Sequence, residues 1–234
     1  MKNTIEDKTK IVNSVFSRVH KKYDLMNDIM SLGVHRIWKN KLIDWMNPQL
    51  DQNLIDVASG TGDIAKLFSK KYNNSAQITC VEPNDEMYFA GKSNLENFKN
   101  IKWYKAKAEK LPFKNDTYDF YTISYGIRNV SDINLSLKEA LRVLKPGGRF
   151  MCLEFSKIDN EMINLIYQKY SKIIPFVGKY IVGSSKPYDY LIKSIDEFYS
   201  QDELSNLIKN NGFSNIEYRN LSNGISAIHS GWKI

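Results

Sequence analysis

Asn53-Leu54-Ile55-Asp56-Val57-Ala58-Ser59-Gly60-Thr61-Gly62-Asp63 reads as a buried strand that runs into a Gly-containing turn and then opens a helix. At such a junction the N–H groups of the turn and the helix N-terminus can bind an anionic group. The next strand ends on Glu82, 20 residues after Gly62, where a carboxylate can accept hydrogen bonds from ribose hydroxyls. Loop and acid together predict a nucleoside-cofactor site. The bland alternative is a tight strand-to-helix turn that binds nothing. Asp56, Glu82 and a later Lys145-Pro146-Gly147-Gly148 turn, met in that order, favour the cofactor.

Outward from this loop, short β-rich runs at Leu54 to Ala58, Ile78 to Glu82, Ile101 to Ala106, Tyr118 to Ser124 and Phe150 to Phe155 are separated by helical segments. Strands alternating with helices predict a mostly parallel α/β sheet covered on both faces. Before the loop, Val12, Val15, Phe16, Val19 and Tyr23 recur at helical spacing, as do Ile37, Trp38, Leu42, Trp45 and Met46 ahead of Pro48. Residues 1–50 are therefore expected to form a helical N-terminal cap on a core spanning 51–234. A basic, aromatic stretch at about 157–199 reads as an insertion. Ser200-Gln201-Asp202-Glu203 has capping-box spacing, and its helix should close near Gly212. Ile216 to Leu221 and Gly224 to Ser230, joined through Ser222-Asn223, predict an antiparallel hairpin that brings the sheet to seven strands.

Composition narrows the class. The 234 residues suit one domain with a large core, at 42% hydrophobic and 25% charged. The net charge of +7 is carried by dispersed lysines, which argues against a nucleic-acid groove and is compatible with a solvated surface or with attraction to an anionic membrane. Cys80 and Cys152 lie in apolar runs without metal-like spacing, so buried thiols and no disulfide are expected. His20, His35 and His229 lack helix-spaced partners, so no metal site is expected. The start Met1-Lys2-Asn3-Thr4 has no apolar leader, and no run approaches the roughly 18 apolar residues of a membrane span. A cytoplasmic protein, soluble or peripheral at the inner face of the membrane, is expected.

Two cofactor classes use the loop's geometry, because Gly60-x-Gly62-x-x-Ala65 also satisfies the dinucleotide fingerprint. Asp56 on the first strand is common in methyltransferase loops, whereas dinucleotide folds usually keep that strand apolar. Leu144-Lys145-Pro146-Gly147-Gly148-Arg149 resembles the turn that introduces strand five in class I methyltransferases, and Leu111-Pro112-Phe113 to Tyr118-Asp119 points the same way. Tyr88-x-x-x-Lys92 matches a reductase dyad by spacing alone.

The stretch Tyr23-Asp24-Leu25-Met26-Asn27-Asp28-Ile29-Met30-Ser31-Leu32-Gly33-Val34-His35-Arg36-Ile37-Trp38-Lys39 resembles the N-terminal signature of the ubiquinone/menaquinone biosynthesis C-methyltransferase family. Tyr125-Gly126-Ile127-Arg128-Asn129-Val130 and Arg142-Val143-Leu144-Lys145-Pro146-Gly147-Gly148-Arg149 to Leu153-Glu154-Phe155-Ser156-Lys157 are similar to its two internal signatures. The tail from Gly212-Phe213 to His229-x-Gly231 follows the same pattern, so the resemblance covers nearly the whole chain. It implies a Rossmann-like class I methyltransferase core, S-adenosylmethionine (SAM) as methyl donor and a lipophilic polyprenyl quinol as acceptor. A homo-oligomer or a quinone-biosynthesis assembly is compatible with it.

By the resemblance, Thr61, Glu82, Lys107, Ala108 and Ser124 are cofactor positions, with Lys107-Ala108 at the adenine and Ser124 near the methionyl end, and Asp56, Gly60 and Gly62 join them from the reading of the loop itself. Ser59 stands where the family usually has glycine, and a Cβ there disfavours positive φ. Glu82 replaces a more typical Asp and keeps the ribose chemistry. Lys107 replaces Asp or Asn, which implies a backbone contact. Because a free phenol has a pKa near ~10, the implied reaction needs a stabilised phenolate or a base. Arg128 and Asn129, beyond strand four, are the candidates for phenolate stabilisation and ring orientation, against the alternative of a loop salt bridge. Asp24 is a candidate proton acceptor, and with Tyr23 either covers the substrate or packs on the sheet. Tyr167 to Tyr190, with Lys169, Lys172, Lys179 and Lys186, reads either as an apolar entrance for a prenyl tail or as an ordinary helical cap.

Overall fold

The computed structural model describes residues 28, 31, 33–49, 51–72, 76–158, 160–162, 164–165, 167–170 and 186–234. Asp24, Tyr23, the stripe from Val12 to Val19, His20, Lys172 and Lys179 lie outside them.

Helix α1 (His35–Met46) precedes β1 (Leu54–Val57), α2 (Asp63–Lys71), β2 (Ile78–Val81), α3 (Asp85–Asn94) and β3 (Ile101–Tyr104). Next come β4 (Tyr118–Ser124), a 3-10 turn at Ile127–Asn129, α4 (Ile133–Val143) and β5 (Leu144–Phe155). Helices α5 (Lys186–Asp196) and α6 (Gln201–Asn210) then lead to β6 (Ser214–Leu221) and β7 (Ser226–Trp232). The seven strands form one sheet in the order β3-β2-β1-β4-β5-β7-β6. Pairing is parallel from β3 to β5 and antiparallel through β7 and β6.

Alternation along the strands divides the core in two. Leu54, Ile78, Cys80, Phe120, Met151 and Leu153 face Trp38, Leu42 and Phe68 of α1 and α2. Ile55, Val57, Tyr121, Ile123, Phe150 and Cys152 face Leu137, Ala140 and Ile208 of α4 and α6. The central strands are thus buried on both sides, as parallel strands between helical layers must be. Both cysteines are free and buried.

Strand five starts earlier than its apolar run suggests. Leu144 already pairs with Tyr118, and pairing resumes at Phe120 with Arg149 after a register shift. The Lys145-Pro146-Gly147-Gly148 segment is that irregularity, a place where a proline lacking an N–H is tolerated. Helix α6 starts on the Ser200/Glu203 capping box, and β6 and β7 are joined by a turn with Ser222, Asn223 and Gly224 all at positive φ. The sequence order reverses between β1 and β4, which puts the crevice beyond their carboxyl ends at the topological switch point.

Candidate active site

The chain leaves β1 through Ala58 at φ 53°, then takes positive φ again at Gly60 (57°) and Gly62 (88°). Left-handed geometry therefore falls on Ala58 rather than on Ser59, which removes the Cβ conflict expected there. Ser59 ties the loop down instead: its Oγ donates to Asp56 O at 2.6 Å and accepts from Val81 N at 3.0 Å. Glu82 holds the other side, since its Oε2 accepts from Gly60 N at 2.9 Å and its Oε1 from Asn84 N at 3.0 Å. Burial raises the Glu82 carboxyl to about 7 against those two amides.

Asp56 and Ser124 face the same side of adjacent strands. Asp56 pairs in register with Thr122, whose hydroxyl donates to Asp56 Oδ1 at 2.7 Å, and Ser124 lies two residues on. Asp56 Oδ2 and Ser124 Oγ are buried without a hydrogen-bond partner among the described residues. Burial raises Asp56 to about 7. Between them opens a pocket of ≈ 350 Å³, including solvent at its mouth, lined by Lys39, Asp56, Gly60, Thr61, Asp63 and Ser124 among others. A Cβ built on Gly60 meets nothing within 4 Å. Open space over a glycine loop, with two buried polar atoms lacking partners, fits a bound polar ligand.

Beyond β4, Arg128 and Asn129 sit in the 3-10 turn. Arg128 Nη1 pairs with Glu154 Oε1 in a buried ion pair and donates to Tyr125 O at 3.1 Å, while its Nε donates to Ser194 Oγ at 3.3 Å. Its guanidinium also lies 5.6 Å from the Phe155 ring centroid. Burial pushes the Glu154 carboxyl up, opposed by Arg128. Asn129 Oδ1 accepts from Tyr190 OH at 3.0 Å. Helix α5 is thus hydrogen-bonded to the turn through Tyr190 and Ser194.

A sequence model of the ubiE/COQ5 methyltransferase family matches residues 2–233. The chain belongs to the ubiE/COQ5 methyltransferase family. It is 50% identical to the ubiquinone/menaquinone biosynthesis C-methyltransferase UbiE of Rickettsia bellii, over 97% of this chain and 94% of the relative. It is 49% identical to that of Rickettsia prowazekii, over 96% and 93%. The fold is shared with a SAM-dependent methyltransferase from Thermotoga maritima at 21% identity and TM-score 0.66, covering 94% of this chain and 99% of that one. A Haemonchus contortus phosphoethanolamine N-methyltransferase solved with SAM matches at 12% identity and TM-score 0.61, covering 84% of this chain and 52% of that one.

For this family member, the residues expected at the cofactor divide into two groups. Asp56, Gly60, Thr61 and Ser124 line the pocket, Glu82 is joined to it through Gly60 N, and at Gly62 a Cβ would collide with Leu95 at 2.5 Å and crowd Trp103. Lys107 is exposed and Ala108 buried in a separate turn closed by Lys110 N on Lys107 O, outside the pocket lining. Arg128 takes the loop ion pair offered as its alternative reading, with Glu154 as partner. Lys39 and Asp63, not singled out as site residues from the sequence, join the first cluster, and Tyr190, known from the sequence only as the end of the stretch read as a prenyl-tail entrance or helical cap, joins the second. Their partners lie 24 and 61 residues away, and no local periodicity signals a pairing of that kind.

Proposed function

We propose that this protein transfers the methyl group of SAM to a ring carbon of a polyprenyl quinol, demethylmenaquinol or 2-methoxy-6-polyprenyl-1,4-benzoquinol or both, in menaquinone and ubiquinone biosynthesis. The observation that carries the reading is the match over residues 2–233 to the family, joined to a polar pocket at the switch point of the sheet. When bound, SAM supplies an electrophilic methyl on a sulfonium. Glu82 accepts hydrogen bonds from ribose hydroxyls with the lone pairs that Gly60 and Asn84 leave, and Ser124 and Asp56 meet the methionyl end.

The acceptor ring becomes a carbon nucleophile when a hydroxyl loses its proton. Arginine is a poor base, so Arg128 acts electrostatically, stabilising negative charge on the quinol oxygen as it develops. Glu154 and Tyr125 O hold the guanidinium in place, and Tyr190 fixes Asn129 to orient the ring or a water. The proton leaves to solvent or to a carboxylate such as Asp24. Contact with an anionic membrane, through the basic surface and the segment up to Tyr190, would bring the enzyme to its lipid substrate. Among the described residues no helix is long and apolar enough to cross a membrane.

Mass spectrometry of cellular quinones with and without the protein tests the reading: a desmethyl quinol should accumulate without it. Unchanged quinones would overturn the assignment. Calorimetric binding of SAM but not NAD separates it from a reductase, and binding without turnover would indicate a non-catalytic subunit.

A further inference from the structure

The ring acceptor explains the turn beyond β4 and the methionyl end of SAM explains Asp56 and Ser124, but Lys39 and Asp63 of the same pocket are left without a purpose. Lys39 stands on α1 with its side chain only 8% exposed. A buried ammonium is costly unless it is paired, and Lys39 Nζ donates to Asp63 Oδ2 at 2.5 Å. Asp63 opens α2 directly after the glycine loop. Burial pushes its carboxyl up, and Lys39 with its neighbours more than offsets this, so that it lies below its ordinary value.

The same pocket holds Asp56 Oδ2 and Ser124 Oγ, both without partners among the described residues. Its lining therefore offers one ammonium, two carboxylates and a free hydroxyl. Neither adenine nor ribose calls for that set. A zwitterionic amino-acid group does, because its α-carboxylate needs a cation and its α-ammonium needs acceptors.

We propose that Lys39 binds the α-carboxylate of the methionyl moiety of SAM. Asp63 holds the ammonium ready before the ligand arrives and shares it afterwards, while Asp56 and Ser124 face the α-ammonium. The assignment rests on the reading of this pocket as the SAM site, and it makes α1 part of that site. The competing account is a strut: Lys39 and Asp63 would only join α1 to α2.

Calorimetry on the full chain with SAM and with decarboxylated SAM, which keeps the sulfonium, adenosine and amine, separates the two. The wild type should prefer SAM by about 10- to 100-fold, the range of one charge-assisted hydrogen bond. Lys39→Met should bind both compounds with the affinity the wild type has for the analogue, and Lys39→Arg should keep part of the margin. Asp63→Asn, which leaves the ammonium but removes its resident anion, should keep or widen it. The proposal is overturned if Lys39→Met retains the wild-type margin, if Lys39→Met weakens both ligands alike, or if Asp63→Asn abolishes the preference. Failure of the wild type to bind either compound overturns the reading of the pocket itself.

Discussion

At Gly60 the backbone turns through φ 57° and no atom waits within 4 Å of the place a Cβ would occupy. A branched side chain there strains the backbone and fills the space over the loop. Gly60→Val is expected to weaken SAM binding by at least about 100-fold in calorimetric titration while unfolding stays cooperative. Unchanged affinity would place the cofactor elsewhere. Arg128 poses a different problem, because its partner Glu154 is 1% exposed. Arg128→Ala strands a buried carboxylate and should cost about 3–5 kcal/mol, roughly 10 °C in melting temperature for a chain of this length. The double variant Arg128→Ala/Glu154→Gln should recover part of that loss. Below the transition, Arg128→Ala should slow turnover on the order of 10² to 10³ with cofactor affinity nearly unchanged, and Arg128→Lys should restore only part of the rate. Wild-type turnover in Arg128→Ala would reduce the ion pair to a structural role.

Among the elements, the helices differ in what anchors them. Helix α6 carries its own start signal: Ser200 Oγ accepts from Glu203 N, and Glu203 reaches back to Ser200 N at 2.7 Å. Ser200→Ala should cost about 1 kcal/mol, or about 2–4 °C, read by thermal unfolding, with turnover unaffected; Ser200→Gly should cost only a few tenths. A drop beyond about 8 °C would mean that the cap supports more than one helix end. Helix α5 is held by Tyr188, Leu191 and Ile195 buried in the core and by the hydrogen bonds of Tyr190 and Ser194 to the turn after β4. The cofactor loop depends on its neighbours too, since Ser59 bonds to β2 and Glu82 to Gly60 N.

Across the whole molecule, buried ionisable groups couple stability to pH. Burial raises Asp56 from 3.8 and Glu82 from 4.5, each to about 7. Between the unfolded and folded values the native state binds more protons, so their contribution is complete below about pH 4 and is lost as pH rises through 7. His229 acts in the opposite sense: burial lowers it from 6.5 to about 4, so its contribution is lost as pH falls through that window. Above pH 6.5 the carboxyls act without this opposition. The melting temperature of the ligand-free protein should fall from pH 6.5 to 8, and Asp56→Asn should flatten the slope. A flat profile over that range would show both carboxylates already ionised. SAM affinity should move the other way, strengthening as Glu82 ionises to accept the ribose hydroxyls and as Asp56 ionises against the α-ammonium, and Glu82→Gln should reduce that dependence without removing it.

How far the sequence alone reaches follows from the range of its signals. Alternating apolar runs and the Gly60-x-Gly62 turn specify the strands and the place of the candidate site, because those patterns are local and each is forced by the burial of one face. The capping box at Ser200 and the hairpin at Ser222-Asn223 are equally local. Strand five starts six residues ahead of its apolar run because Leu144 pairs with Tyr118 across the sheet, a contact that no local period records. Asp56 against Thr122, Lys39 against Asp63 and Arg128 against Glu154 were likewise decided only in three dimensions. Periodicity tells a side chain which face it takes. The crossovers of the sheet decide which distant charge it meets there, and those meetings set the protonation and position of the groups at the site.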